Sequence, residues 1–107
     1  MVVATCSIKT LSAIANSHND NLLVRAADVT LKERKKLVLL VRETPLNEGH
    51  LELMIRGTRM GGIIMPPVPA FYHQPKTLED LIDQTLGKVL DLFSIDAQLF
   101  RRWDDRN

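Results

Sequence analysis

Leu37-Val38-Leu39-Leu40-Val41 is an unbroken aliphatic run, bracketed by Lys35-Lys36 on one side and Arg42-Glu43-Thr44-Pro45 on the other. Five apolar residues without alternation, two of them β-branched, suit a strand covered on both faces, as in parallel sheets. The pattern predicts a buried strand over 36–42 that stops before the proline. In open α/β sheets, ligands sit in the crevice beyond the carboxyl ends of the strands. Arg42 and Glu43 fall at that end.

Elsewhere the period switches between strand and helix. Met1 to Thr5 predicts a short first strand. Leu11, Ile14 and Ala15 recur at helical spacing up to a polar break at 16–20, and a second helix is expected from Asn21 to about Arg34. Leu22, Leu23, Ala26, Val29 and Ala27 are assigned to its inward face, with Arg25 and Lys32 two turns apart along one side. Asn47 is a helix cap with Glu48 in the first turn of a third helix, marked by Leu51, Met54, Ile55 and Met60 and ended by Gly61-Gly62. Ile63-Ile64-Met65 predicts a third strand. Pro66-Pro67-Val68-Pro69 cuts it off and stiffens a loop that carries Phe71-Tyr72-His73. Thr77 opens the last helix, with Asp80 as its capping-box partner and a stripe of Leu78, Leu81, Ile82, Leu86, Val89, Leu90 and Phe93.

The order β-α-α-β-α-β-α implies right-handed crossovers and a parallel α/β sheet flanked by helices. One domain is expected over 1–95, followed by a polar tail at 96–107 in which Trp103 is a docking residue. Three strands are few for such a sheet. Either a partner extends it or a first half is absent.

Composition narrows the class. The 107 residues are 45% hydrophobic with net charge +1, which fits one globular domain and gives no global argument for nucleic acid or an anionic membrane. One cysteine rules out an internal disulfide framework, and no apolar run approaches the roughly 20 residues that span a bilayer. No signal-peptide pattern is present, so a cytoplasmic location is expected.

The candidate chemistry lies at element ends. Ser7, Ile8, Lys9 and Thr10 follow a strand and open a helix, where backbone N–H groups, two hydroxyls and an ammonium could hold a phosphate or a flavin edge; Ser and Thr are also ordinary helix caps. Arg42 can aim a planar fork at a phosphate or a carbonyl-rich ring, and Glu43 beside it can give or take a proton; a mutual salt bridge or a solvated turn is the competing reading. Tyr72 offers a phenol on a stiff loop, or a surface aromatic. Lys88 beside the last helix's stripe is a snorkelling cation or a ligand group. His18, His50, His73 and Cys6 form no recognised metal spacing. No metal site is expected.

Taken in order, Cys6-Ser7-Ile8-Lys9-Thr10-Leu11, Arg25-Ala26-Ala27-Asp28-Val29, Arg42-Glu43-Thr44-Pro45-Leu46, the stretch Pro66 to His73 and Val89-Leu90-Asp91 resemble the C-terminal half of a flavin prenyltransferase of the UbiX/Pad type. The subfamily accompanying hydroxyarylic acid decarboxylases looks nearest. The resemblance implies a parallel Rossmann-like flavoprotein sheet whose N-terminal half, with its Gly-Thr-Gly-Ala-type FMN loop, is absent. It implies FMN as cofactor and prenyl transfer from dimethylallyl phosphate to reduced FMN, giving a prenylated FMN used by a UbiD-type decarboxylase. Ser7, Ile8, Lys9, Thr10 and Arg42 match FMN-contacting positions, and Glu43 matches an acidic residue at the reaction centre. Arg25, Lys32 and Tyr72 match positions around the dimethylallyl phosphate. Lys88 stands where many relatives have arginine, which keeps the charge but loses the bidentate fork. A homo-oligomer is expected, and so is truncation, with poor stability or forced self-association of an exposed half-sheet. A flavin-dependent cysteine decarboxylase relative, or a non-catalytic fragment that only self-associates, are the alternatives.

Overall fold

The computed structural model describes residues 1–72 and 74–95, so His73 and the tail with Trp103 lie outside the described residues. The chain separates into two compact units, Met1–Pro67 and Val68–Asn107. The first unit holds β1 (Val2–Cys6), α1 (Ile8–Ala15), α2 (Leu22–Lys32), β2 (Leu37–Val41), α3 (Glu48–Arg59) and β3 (Gly62–Ile64). Its three strands form one parallel sheet in the order β1-β2-β3. The second unit is built around α4 (Leu78–Leu92). This is the element order expected from the hydrophobic pattern.

All five residues of β2 are buried, as an aliphatic run in the centre of a parallel sheet requires. Leu37, Leu39 and Val41 belong to one cluster with Leu11 and Ile14 of α1 and Val24, Ala27 and Leu31 of α2. β1 departs from strict alternation. Val2 pairs with Val38 and Val3 with Leu39, yet Cys6 pairs with Val41, so three steps on β1 match two on β2. This extra residue is a bulge, and it explains why Val3 and Cys6, three positions apart, are both buried.

Each helix starts on the side chain its sequence supplies. Ser7, Asn21, Asn47 and Thr77 accept a hydrogen bond from the backbone N–H three residues on. At α3 the reciprocal partner is His50, whose Nδ1 accepts from the Asn47 N–H at 3.3 Å. At α4 it is Asp80, as expected, whose carboxylate accepts from the Thr77 N–H at 3.2 Å and the Lys76 N–H at 2.8 Å.

The inward faces differ from those expected. α2 buries Val24, Ala27 and Leu31, while Leu22, Leu23 and Val29 are exposed. α3 turns Leu53, Met54, Gly57 and Met60 toward the first unit's core and leaves Leu51 and Ile55 exposed. α4 buries Gln84, Gly87 and Val89, with Leu78, Ile82 and Leu86 exposed. The helical period locates a helix correctly here, but two apolar arcs on one helix leave open which arc meets the chain's own core.

The third strand begins one residue early, at Gly62. Gly61 makes the turn out of α3 with φ of 104°, in the region open to glycine. Gly62 is needed for proximity: a Cβ there would stand 3.0 Å from the carbonyl oxygen of Gly57. Gly62→Ala therefore forces α3 away from β3 and should cost about 1–3 kcal/mol in urea unfolding, whereas an unchanged midpoint would show that the helix can move freely. The amides of Lys76 and Thr77 hold the Asp80 carboxyl below the usual carboxylate range. Because the folded form favours the charged carboxylate, its contribution is present above the unfolded carboxyl's pKa and is lost as pH falls through the folded one. Asp80→Asn should flatten the acid limb of the thermal-midpoint profile, and an identical limb in the variant refutes the contribution.

Candidate functional site at the carboxyl edge of the sheet

β1 passes into α1 with a single residue between them. That residue, Ser7, caps α1 in an extended conformation (φ −77°, ψ 163°): its Oγ accepts from the Thr10 N–H at 3.1 Å and donates to Thr10 Oγ1 at 3.1 Å. The Ile8 and Lys9 amides fall among the first N–H groups of the helix, which have no partner within it. The positive end of α1 therefore opens at the carboxyl edge of the sheet.

The bulge in β1 decides what stands beside it. With Cys6 opposite Val41, the next residues in register are Ser7 and Arg42, and the Arg42 N–H donates to the Cys6 carbonyl at 3.3 Å. Without the extra residue Cys6 itself would face Arg42. Ser7, Lys9, Arg42 and Glu43 are all exposed, with Ile8 and Thr10 half-buried behind them. The described ion pairs are His18–Asp20 and Glu33–Lys35, so the alternative of an Arg42–Glu43 salt bridge is not realised. The guanidinium and the carboxylate are both available to a ligand. Cys6 sits underneath, fully buried, with its Sγ donating to the Ser7 carbonyl at 3.6 Å; burial pushes the thiol up to about 11, which makes it packing and not a nucleophile.

Arg25 and Lys32 lie elsewhere. On α2 they share the outward face with Leu22 and Val29, opposite Val24, Ala27 and Leu31. Arg25 lines a cavity of about 240 Å³ with Asn19, Asp20, Asn21 and Leu22. Lys32 ends α2 at the amino edge of the sheet, where the Lys35 N–H donates to the Thr30 carbonyl and the Met1 ammonium donates to the Lys36 carbonyl at 2.9 Å. The length of β2, roughly 16 Å at 3.3 Å per residue, separates that edge from Arg42. The first unit thus brings Ser7 to Thr10 together with Arg42 and Glu43, and does not bring Lys32 to them.

Tyr72 and Lys88 belong to the second unit. Tyr72 stands in a turn closed by the Gln74 N–H donating to the Phe71 carbonyl at 2.9 Å, and Lys88 is half-buried on α4. Two features went unrecognised in the sequence. His50 completes the α3 cap, which its spacing of three from Asn47 could have revealed. Arg56 on α3 donates from Nη1 to Asn16 Oδ1 at the end of α1, a contact 40 positions apart with no local signal.

A parallel sheet with a capped helix start, a guanidinium and a carboxylate at its carboxyl edge has the layout of an open α/β fold, in which ligands sit beyond the carboxyl ends of the strands. The flavoprotein family model matches residues 1–90, and the chain belongs to that family. It is 64% identical over 103 residues to the flavin prenyltransferase UbiX of Thauera aromatica, covering 96% of this chain and 53% of the relative. Among solved structures, a UbiX protein (PadA1) in complex with FMN and dimethylallyl pyrophosphate superimposes with a TM-score of 0.96 at 53% identity, over 100% of this chain and 57% of that one. A dodecameric FMN-dependent UbiX-like decarboxylase from Escherichia coli O157:H7 gives 0.93 at 48% identity, over 96% of this chain and 56% of its own length. The chain spans about half the length of the curated relatives it matches. Among the described residues, no helix is long and apolar enough to cross a membrane.

Ser7→Ala removes the α1 cap. It should lower stability by about 0.5–2 kcal/mol, while Ser7→Asp keeps a capping oxygen and should recover most of the loss in denaturant unfolding.

Proposed function

We propose that this chain carries the reaction face of a flavin prenyltransferase, with FMN as cofactor and dimethylallyl phosphate as substrate. The observation that carries the reading is the Cys6–Val41 register, which sets the α1 start beside Arg42 and Glu43 in a chain of the flavoprotein family. The donor set fits an FMN: free amides, two hydroxyls and the Lys9 and Arg42 cations suit a carbonyl-rich, anionic ligand. Bound and reduced, FMN supplies the nucleophilic N5 and C6 positions at which the prenyl group attaches.

The chain's own residues do the rest. Ser7 to Thr10 and Arg42 orient the ring system against the carboxyl edge. Glu43 would move protons at the reaction centre, donating one to the prenyl carbon and accepting one at the flavin C6 position. Arg25, Lys32, Tyr72 and Lys88 hold the phosphate. As the allylic C–O bond breaks, negative charge builds on the leaving oxygen, and clustered cations stabilise it as it forms. Lys88 contributes this charge without arginine's fork.

Arg25 and Lys32 face outward beside exposed Leu22 and Val29, and Lys32 lies at the opposite sheet edge from Arg42. This supports a site completed by a second copy whose α2 is turned toward the first copy's carboxyl edge. The dodecameric state of the Escherichia coli O157:H7 neighbour is in keeping with that arrangement. On this reading the protein works in the cytoplasm and hands prenylated FMN to a UbiD-type aromatic acid decarboxylase.

The test loads the purified chain with FMN, reduces it, and supplies dimethylallyl phosphate or the pyrophosphate in parallel. The expected product has the mass of prenylated FMN, formed preferentially from the monophosphate. Glu43→Gln should retain FMN absorbance and slow adduct formation by about 10²-fold or more. Turnover at the wild-type rate refutes the proton role. No bound flavin and no adduct refute catalysis by this chain, and decarboxylation of a C-terminal cysteine peptide would favour a cysteine decarboxylase relative instead.

A further inference from the structure

Gln84 is a polar side chain at a position where the last helix buries itself. Its relative exposure is 4%, and it is the buried polar residue among the described ones. Its Oε1 accepts a hydrogen bond from the Ala70 N–H at 3.2 Å, 14 positions earlier. A buried amide is tolerated where it is hydrogen-bonded, so the bond accounts for a glutamine at this place. The donor fixes the amide's orientation, since only the carbonyl oxygen can accept from an N–H.

The loop end of the bond is as informative. Ala70 follows Pro66-Pro67-Val68-Pro69, and prolines have no N–H to offer. Ala70 is therefore the first residue after the proline run whose amide can be tied down. Two residues on stands Tyr72, in the turn closed between Phe71 and Gln74. On the helix end, Lys88 lies four residues beyond Gln84, one turn further along the same face. One hydrogen bond thus ties Ala70, two residues before Tyr72, to α4 one turn before Lys88, all within the second unit.

We propose that Gln84 is a positioning residue that fixes Tyr72 relative to Lys88, so that phenol and ammonium act as one preset pair on the phosphate of the allylic substrate. The inference rests on the reading of Tyr72 and Lys88 given under the proposed function. A phenol donor and a compact cation held at fixed separation suit a phosphate monoester, and a loop free to swing would lose that match.

Two variants break the bond from opposite sides. Gln84→Met keeps the volume and helix propensity but removes the acceptor. Ala70→Pro removes the donor in a segment already rich in proline, and it carries the test if Gln84→Met does not fold. Each is assayed in the FMN-loaded full chain with dimethylallyl phosphate, alongside Tyr72→Phe, Lys88→Met and the double variant Gln84→Met/Tyr72→Phe. The expected result is a KM for dimethylallyl phosphate raised about 10- to 100-fold with FMN affinity and kcat near wild type. The double variant should bind no worse than Tyr72→Phe alone, because Gln84 acts through Tyr72. A wild-type KM in the folded variants, or fully additive losses in the double variant, overturns the proposal. Hydrogen exchange separates the two levels. If neither Tyr72→Phe nor Lys88→Met weakens substrate binding, the phosphate reading of those residues fails. Amide protection at Ala70 to Tyr72 then decides the anchor by itself: its loss in Gln84→Met supports Gln84 as the loop's tether, and its retention overturns it.

Discussion

The pairing of β1 with β2 is the contact on which the site depends, and the extra residue in β1 is what sets its phase. A regular parallel register continued from Val3–Leu39 would put Thr5 opposite Val41 and Cys6 opposite Arg42. The bulge advances β1 by one residue, so that its last buried side chain, Cys6, closes against Val41 and the α1 cap arrives beside Arg42. Bulges re-aim side chains at the edges of sheets. Here the re-aimed element is a helix start, with its unpaired amides and its positive dipole. Burial of Cys6 and exposure of Ser7 are two consequences of one shift.

That shift could not be seen in the sequence, although its ingredients could. Leu37 to Val41 declared a doubly covered strand, Asn47 and Thr77 marked the starts of α3 and α4, and α2 was expected from Asn21, the residue that caps it. Val3 and Cys6 both being apolar three positions apart was compatible with a strand end or a helix start, and only pairing with β2 resolves it. The roles proposed for Arg42 and Glu43 rest on the resemblance to flavin prenyltransferases; the geometry supplies the reason the α1 start is next to Arg42. Gln84 was invisible for another reason. A glutamine inside a leucine-rich helix has the propensity of a surface residue, and its partner is a backbone amide, which leaves no trace in side-chain pattern.

The helix faces went astray in a consistent direction. Leu22, Leu23 and Val29, expected on the inward face of α2, are exposed, as are Leu51 and Ile55, which mark α3, and Leu78, Ile82 and Leu86 of the α4 stripe. Periodicity counts apolar positions; it does not say whose core they enter. On α3 the displaced residues line an apolar groove of about 580 Å³ with Met54 and Ile64. Apolar surface on several helices at once is unusual for an isolated monomer.

On the function proposed above, the same geometry bears on how cations would converge on a leaving phosphate. Net charge is only +1, so no global field gathers an anion; positive groups have to be placed one by one. Ser7 to Thr10 and Arg42 are placed by the β1–β2 register within one chain. Arg25 and Lys32 are placed by α2, on the arc that also carries Leu22 and Val29 and away from the arc that holds α2 to the sheet. Covering that apolar arc with another copy would carry the two cations into the contact as a direct consequence, since they share it at i, i+3, i+7 and i+10. Packing and electrostatics then have one solution in common. The arrangement that hides Leu22 and Val29 from water is also the one that removes Arg25 and Lys32 from bulk solvent, where a charge acts weakly, to a contact where the lower dielectric makes it act strongly on a phosphate.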